Sequence, residues 1–164
     1  MNNTIKELYD FQKLYLNKIL ENIPEEKFFL NQEKGINSPG WILGHLIVES
    51  ECVLNSLEIT SEPIPDLWKL NFQGSKSFTK SNFKELPTKK ELIEIFEERY
   101  DFLLNEYLSI TDEKRMSMHT SEMLSQIYTN TDSWFAHHII THIAVHIGNI
   151  TIWKQVNNIA VQGF

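Results

Sequence analysis

Four of the six histidines in the chain lie between residues 134 and 150, which read WFAHHIITHIAVHIGNI. If this segment is a helix, His138, His142 and His146 recur every four residues and lie along one face. Each ring nitrogen removed from water needs a hydrogen-bond partner or a metal ion, because an unsatisfied buried polar group costs about 1–3 kcal/mol. The spacing therefore predicts a metal site, with histidines hydrogen-bonded to carbonyl groups in a core as the alternative.

Only neighbouring members of this row can bind the same ion. His138 and His146 are eight residues apart, which is about 12 Å along a helix axis, and metal–nitrogen bonds of about 2.1 Å cannot span that distance. His142 belongs to either neighbouring pair. The spacing thus favours His142 as one ligand and leaves His138 and His146 as alternatives for the second.

A third ligand has to come from another helix. His45 lies in the apolar run WILGHL, residues 41–46, whereas His119 lies in a polar run. We therefore predict His45 as the third ligand. Glu49 follows His45 by four residues and could place a carboxylate beside the site, with an exposed glutamate as the alternative. Cys52 is too far along the helix axis to join the same ion and is predicted to be a core residue.

Four segments carry the apolar periodicity of helices. The first runs from a cap at Asn3 or Thr4 to about Asn22, and the second starts with a Ser38 cap and Pro39 in its first turn. The third starts with a capping box of Thr88 and Glu91. The fourth covers about Thr131 to Val156. The apolar stripes comprise Ile5, Leu8, Tyr15, Ile19 and Ile23 in the first, Leu92, Ile95, Phe96, Leu103 and Tyr107 in the third, and Phe135, Ile139, Ile143, Ile147 and Ile150 in the fourth. No run predicts a strand, so the fold class is all-α, a helix bundle.

The connection between the second and third helices is long and irregular. Residues 58–87 hold three of the five prolines and the Gly74-Ser75 pair. We expect a crossover with a short helical turn. It is either a surface crossover or, because loops of this length are often binding elements, a roof over a pocket.

Length and charge exclude several classes of protein. The 164 residues form a single domain by our interpretation, and the net charge of −7 repels a phosphate backbone, so we expect no nucleic-acid partner.

One cysteine excludes an internal disulfide framework. The N-terminus lacks the pattern of a secretion signal, and no apolar stretch reaches the roughly 18 residues of a membrane span. We therefore expect a soluble, cytoplasmic protein that has no membrane partner.

Two motifs resemble those of the DinB superfamily. The residues NSPGW, 37–41, lead into Gly44-His45-Leu46, and about a hundred residues later the chain reads HIAVHIGNI, residues 142–150. The order and length of the helical segments are also similar to that family over nearly the whole chain. The resemblance implies an up-down-down-up four-helix bundle. Its metal would be held by one histidine of the second helix and by two histidines, four residues apart, of the last helix.

The resemblance also decides between the alternative ligand pairs. Members of the family commonly read His-x-x-His-His-Arg-Gly-Gln-Ile in the last helix, which implies His142 and His146 as ligands together with His45. His138 then lies one turn before the site and is expected to support it from outside the ligand shell. The chain departs from that motif at Val145, Ile147 and Asn149, which replace a histidine, an arginine and a glutamine.

Three histidine ligands leave a coordination position open, as in catalytic zinc sites, and they suit Zn²⁺ or Ni²⁺. The resemblance implies an enzyme that uses the ion to activate a small thiol or water against a small electrophile, similar to the thiol S-transferases of the family. The alternatives are a metal-dependent hydrolase and a non-catalytic metal-binding or small-ligand-binding protein of a stress response. The expected partner is a small-molecule substrate, in one case a low-molecular-weight thiol. A homodimer is among the expected assemblies.

Overall fold

The computed structural model describes residues 2–30, 35–74, 86–118 and 125–161. The helices are α1 (Asn2–Glu21), α2 (Pro39–Ser56), α3 (Asp66–Phe72), α4 (Lys89–Ser109), α5 (Asp112–Met116), α6 (Thr131–Ala136) and α7 (Ile143–Val156), with a 3-10 turn at Glu25–Lys27. A π-helical segment, His137–His142, joins α6 to α7, so residues 131–156 form one continuous last helix. No strand occurs in the described ranges, and the all-α prediction is confirmed.

Two predicted helix starts are confirmed by their hydrogen bonds. The backbone N–H of Trp41 donates to Ser38 Oγ at 3.3 Å, and Pro39 occupies the first turn of α2. In α4 the backbone N–H of Glu91 donates to Thr88 Oγ1 at 3.2 Å, and the backbone N–H of Thr88 donates to Glu91 Oε2 at 2.7 Å. These caps satisfy donors that would otherwise lack partners at a helix N-terminus.

Helix α1 differs from the expectation at its start and in its inward face. It begins at Asn2, ahead of the predicted cap. Tyr9 faces the core with 1% of its surface exposed and donates its hydroxyl hydrogen to Asp101 Oδ1 at 2.8 Å, whereas Leu8 is 45% exposed. The periodicity of apolar residues predicts how far apart the buried positions of a helix lie. Which of two adjacent residues is buried depends on how the neighbouring helices pack against it.

One cluster of buried apolar side chains lies between the long helices. Each long helix contributes aromatic residues or large aliphatic residues: Leu16, Ile19 and Leu20 from α1, Trp41, Leu43 and Leu46 from α2, Phe96, Tyr100 and Tyr107 from α4, and Phe135, Ile143, Ile150 and Trp153 from the last helix. The last helix is not enclosed on all sides, because Val145 and Ile152 are exposed. Cys52 is also exposed rather than part of the core.

The predicted crossover contains a defined element. Helix α3 packs against α2, while residues 75–85 lie outside the described part of the chain. The part of the crossover ahead of α3, residues 60–65, lines a cleft of about 680 Å³. The other side of this cleft is formed by Trp68 of α3 and by Ile95, Arg99 and Phe102 of α4. None of the three predicted ligands lines this cleft. Among the described residues, no helix is both long and apolar enough to cross a lipid bilayer.

The C-terminal end of α1 is held by lysines from two other helices. Lys154 in α7 has no exposed surface and donates to the carbonyl oxygen of Ile19 at 2.8 Å and to Asn22 Oδ1 at 2.6 Å. Lys89 in α4 donates to the carbonyl oxygens of Glu21 and Ile23. Both cations meet carbonyl groups at a helix C-terminus, where the helix dipole favours positive charge. They join α1 to its two neighbours.

Replacing Lys154 by alanine is expected to lower the free energy of unfolding by about 1–3 kcal/mol, because the carbonyl of Ile19 loses its buried donor. Urea unfolding followed by circular dichroism measures this change. The matched control is Lys90→Ala, since Lys90 is 83% exposed and its ion pair with Glu94 contributes about 0.5 kcal/mol or less. Equal urea midpoints for Lys154→Ala and Lys90→Ala would contradict this role of Lys154.

Candidate metal centre

The structure brings together His45 of α2, His142 at the end of the π-helical segment and His146 of α7. His142 Nε2 lies 3.0 Å from His146 Nε2 and 3.4 Å from His45 Nε2. In the described part of the chain, these are the histidines whose ligand atoms all lie within 4.8 Å of one another. His45 is 8% exposed and His146 is 9% exposed, so the cluster is mostly shielded from water.

The orientation of His45 is determined by the short helix of the crossover. His45 Nδ1 donates to the carbonyl oxygen of Phe72, the last residue of α3, at 2.9 Å. A carbonyl oxygen can only accept, so Nδ1 carries the proton and Nε2 presents its lone pair to the other histidines. The ring of Trp41 stacks on His45 with centroids 5.0 Å apart and planes at 8°, and the Trp41 indole N–H donates to the carbonyl oxygen of Asn71 at 3.1 Å.

The nitrogen separations match those of a mononuclear metal site. Ligands about 2.1 Å from a tetrahedral ion lie about 3.4 Å apart, and adjacent ligands of an octahedral ion lie about 3.0 Å apart. The two separations around His142, 3.4 and 3.0 Å, lie within the range that these two geometries span. One proton can satisfy at most one of the two contacts between imidazole nitrogens, whereas a cation would attract all three lone pairs at once. The residues present therefore fit a metal ion.

The Nδ1 atoms of His142 and His146, the two clustered histidines of the last helix, have a different environment from His45 Nδ1. Within the described residues, Nδ1 of His142 and Nδ1 of His146 are buried and have no hydrogen-bond partner. Metal ligands usually donate their second ring N–H to a carbonyl or carboxylate. Among the described contacts of the three histidines, only His45 donates its second ring N–H to a carbonyl oxygen. That oxygen belongs to Phe72 of α3, so α3 orients the His45 ring.

The π-helical segment changes how the histidines preceding the site are arranged. Its wider turns bring the ring of His137 over that of His142, with centroids 5.9 Å apart and planes at 15°. His138 Nδ1 donates to the carbonyl oxygen of Trp134 at 3.0 Å, and its ring lies 5.6 Å from that of His142. His138 is therefore a neighbour of the cluster and not a member. A regular α-helix was expected here, and π-helical turns are frequent at functional sites.

The remaining predicted residues lie outside the cluster. Glu49 is half-buried and is not in the group of three histidines, so a supporting role for it stays a prediction. His119 lies outside the described residues. The sequence contains no sign of the role of Phe72, because a backbone carbonyl leaves no side-chain signature. Trp41 could have been found, since it precedes His45 by four residues and so shares its helix face.

Burial keeps the last-helix pair uncharged. The pKa of His142 is lowered to about 3. The largest cause is removal from water, and repulsion from protonated His146, His45, His138 and His137 adds to it. Removal from water, followed by repulsion from protonated His45, lowers the pKa of His146 to about 4. Only neutral imidazole binds a metal, so these two side chains are in the ligand form across the physiological range.

These lowered pKa values make the metal-free fold sensitive to acid. An unfolded histidine titrates near pH 6.5, so below that pH the unfolded chain binds more protons than the folded chain, and stability falls until the pH approaches 4 for His146 and 3 for His142. We expect the free energy of unfolding in excess chelator to decrease from pH 7 to pH 4. The decrease should be shallower in His142→Asn, which cannot titrate. Parallel slopes for the two proteins would contradict the burial of His142.

Of the comparisons with known proteins, one matches a family model. A search of curated proteins finds no match to the chain. The family model described as the DinB superfamily matches residues 9–150, which include all three clustered histidines and most of the helical core. The matched region covers far more than half of the 164 residues. The chain belongs to the DinB superfamily.

Proposed function

We propose that this protein is a metal-dependent enzyme in which His45, His142 and His146 hold one divalent transition-metal ion, with zinc and nickel as the best fits. The two short Nε2–Nε2 separations around His142 support this most directly, together with the placement of all three ligand atoms within 4.8 Å of one another. Neutral imidazole nitrogens favour Zn²⁺, Ni²⁺ and related ions, whereas Mg²⁺ and Ca²⁺ prefer oxygen ligands. The family membership is a second, independent support.

The proposed reaction is attack of a small thiol or water on a small electrophile, with a thiol S-transferase as the leading form. Three protein ligands leave a coordination position for a substrate atom. When bound there, a divalent ion would supply Lewis acidity that lowers the pKa of a thiol or a water molecule. The chain's own contribution is to keep His142 and His146 neutral by burial and, through the Phe72 carbonyl, to hold His45 in the ligand tautomer.

We also propose the up-down-down-up arrangement of the four long helices, within one domain of residues 1–164. Asn17 in the later half of α1 contacts Glu97 in the earlier half of α4, whereas Tyr9 contacts Asp101, which supports antiparallel neighbours. Gln12 of α1 contacts residue 140 and Ile19 contacts residue 154, which supports a last helix parallel to α1. Contacts of the last helix with Ser56 and then His45 support an antiparallel α2.

Removal of any of the three ligands should abolish tight metal binding. We expect wild-type protein without a polyhistidine tag to bind close to one Zn²⁺ or Ni²⁺ per chain, and His45→Ala, His142→Ala and His146→Ala each to lose most of that affinity. His138→Ala should weaken binding only modestly, because its ring is a neighbour of His142, and His119→Ala should leave it unchanged. Competition titration against a chromophoric chelator measures each affinity.

The same titrations contain the results that would reject the site. Wild-type protein that cannot be loaded with zinc or nickel would reject the metal centre altogether. Loss of binding in His138→Ala together with retention in His146→Ala would move the ion one turn toward the N-terminus of the last helix.

Thiol chemistry should be visible in Co²⁺-substituted protein. If the open position accepts a thiol, adding a small thiol should produce an intense band of sulfur-to-cobalt charge transfer, and His142→Ala should lose this band. Turnover is a separate measurement: the metal-loaded protein should accelerate formation of a carbon–sulfur bond between the thiol and a model alkyl halide, which releases a proton and halide.

The outcomes separate the three functional classes. Acceleration that follows the thiolate population and disappears in the ligand variants supports the transferase. Metal-dependent cleavage of esters or amides without thiol binding would favour the hydrolase instead. Thiol binding without acceleration of any reaction across a broad electrophile panel would favour the non-catalytic binding protein.

A further inference from the structure

Gly44 lies next to His45 and directly under the ring of Phe72. A Cβ atom at Gly44 would lie 2.7 Å from Cγ, Cδ1 and Cδ2 of Phe72, which is closer than real Cβ contacts. Phe72 has no exposed surface, and its ring contacts Trp68 and Phe29 at centroid distances of 5.7 and 6.5 Å. The ring therefore has little room to move away from α2.

The atoms involved make this contact stiff. Cγ is bonded directly to Cβ, so it can move with the backbone fixed only by rotation about χ1, and the contacts of the ring with Trp68 and Phe29 oppose that rotation. That backbone carries the carbonyl oxygen that accepts the Nδ1–H of His45 at 2.9 Å. A side chain at position 44 would thus shift the acceptor that keeps the Nε2 lone pair of His45 toward His142.

We propose that Gly44 and Phe72 are positioning residues for the metal centre. The absence of a side chain at Gly44 lets α3 pack closely enough on α2 for the Phe72 carbonyl to fix both the tautomer and the direction of the His45 ring. In this role the crossover between α2 and α4 supports the metal centre through α3. The proposal rests on the proposed function for its effect on metal affinity, but its effect on the His45 ring exists without metal.

A second glycine provides a matched control. Gly148 also lies in a helix, two residues from the ligand His146, but a Cβ atom there would meet nothing within 4 Å. Both Gly→Ala changes raise helix propensity by a similar amount. They differ in what the new methyl group contacts.

We expect Gly44→Ala to weaken zinc binding by about 10- to 100-fold, the usual effect of disturbing a hydrogen-bond partner of a metal ligand. Gly148→Ala should bind zinc as the wild type does. Chelator competition gives both affinities, and circular dichroism with urea unfolding shows whether each variant is folded. An unchanged zinc affinity in Gly44→Ala, or an equal loss in Gly148→Ala, would overturn the proposal.

A double-mutant cycle tests whether Gly44 acts through Phe72. Phe72→Ala removes the crowded ring atoms and keeps the backbone carbonyl. In that background, adding Gly44→Ala should change zinc affinity by less than about twofold, because the methyl group no longer meets the ring. A loss as large as in the wild-type background would show that the effect does not pass through the Phe72 side chain.

The tautomer of His45 gives a readout that needs no metal. In chelator-treated wild-type protein at pH 7.5, ¹⁵N–¹H NMR should show His45 protonated at Nδ1 with slow solvent exchange, and Gly44→Ala should lose this protected signal while Gly148→Ala keeps it. Wild-type His45 protonated at Nε2 would overturn the proposal even if Gly44→Ala fails to fold. A protected Nδ1 signal in protein that binds no zinc or nickel would instead support the positioning and reject the proposed function.

Discussion

Three imidazole nitrogens face one another in a mostly buried space between α2 and the last helix. Such lone pairs repel unless a proton or a cation lies between them, and protonation is disfavoured because burial lowers the pKa of His142 and His146. The arrangement therefore needs rings whose tautomers and directions are set from outside the cluster. Helix α3 does this for His45 through a backbone carbonyl.

The cluster also requires a fixed register between α2 and the last helix. Tryptophan N–H groups hold the two ends of the last helix: Trp134 donates to Ser56 Oγ at the C-terminus of α2, and Trp153 donates to the carbonyl oxygen of Leu30 ahead of α2, both at 2.9 Å. His45 and His142 meet between these two anchors. At 1.5 Å of rise per residue, a slip of one helical turn would separate the ligand nitrogens by about 5 Å.

Charge is arranged to leave the cluster neutral. The chain carries a net charge of −7, yet no Asp or Glu belongs to the histidine group in the described part of the structure. Its basic side chains act elsewhere, with Lys89 and Lys154 binding the carbonyl end of α1. A site of neutral nitrogens without carboxylates selects softer transition metals over Mg²⁺ and Ca²⁺.

The helical class, the caps at Ser38 and Thr88, and the set of histidines from which the cluster is drawn all follow from the order of amino acids. These are local properties, since caps and periodicity depend on residues within one or two turns. The spacing alone left His138 and His146 as alternatives, and only the family resemblance favoured His146. Three other features come from tertiary packing: the π-helical turns, the burial of Tyr9 instead of Leu8, and the contact of the Phe72 carbonyl with His45. These features depend on contacts between residues far apart in the chain, and a backbone carbonyl is present at every residue, so no local pattern shows which one will reach the site.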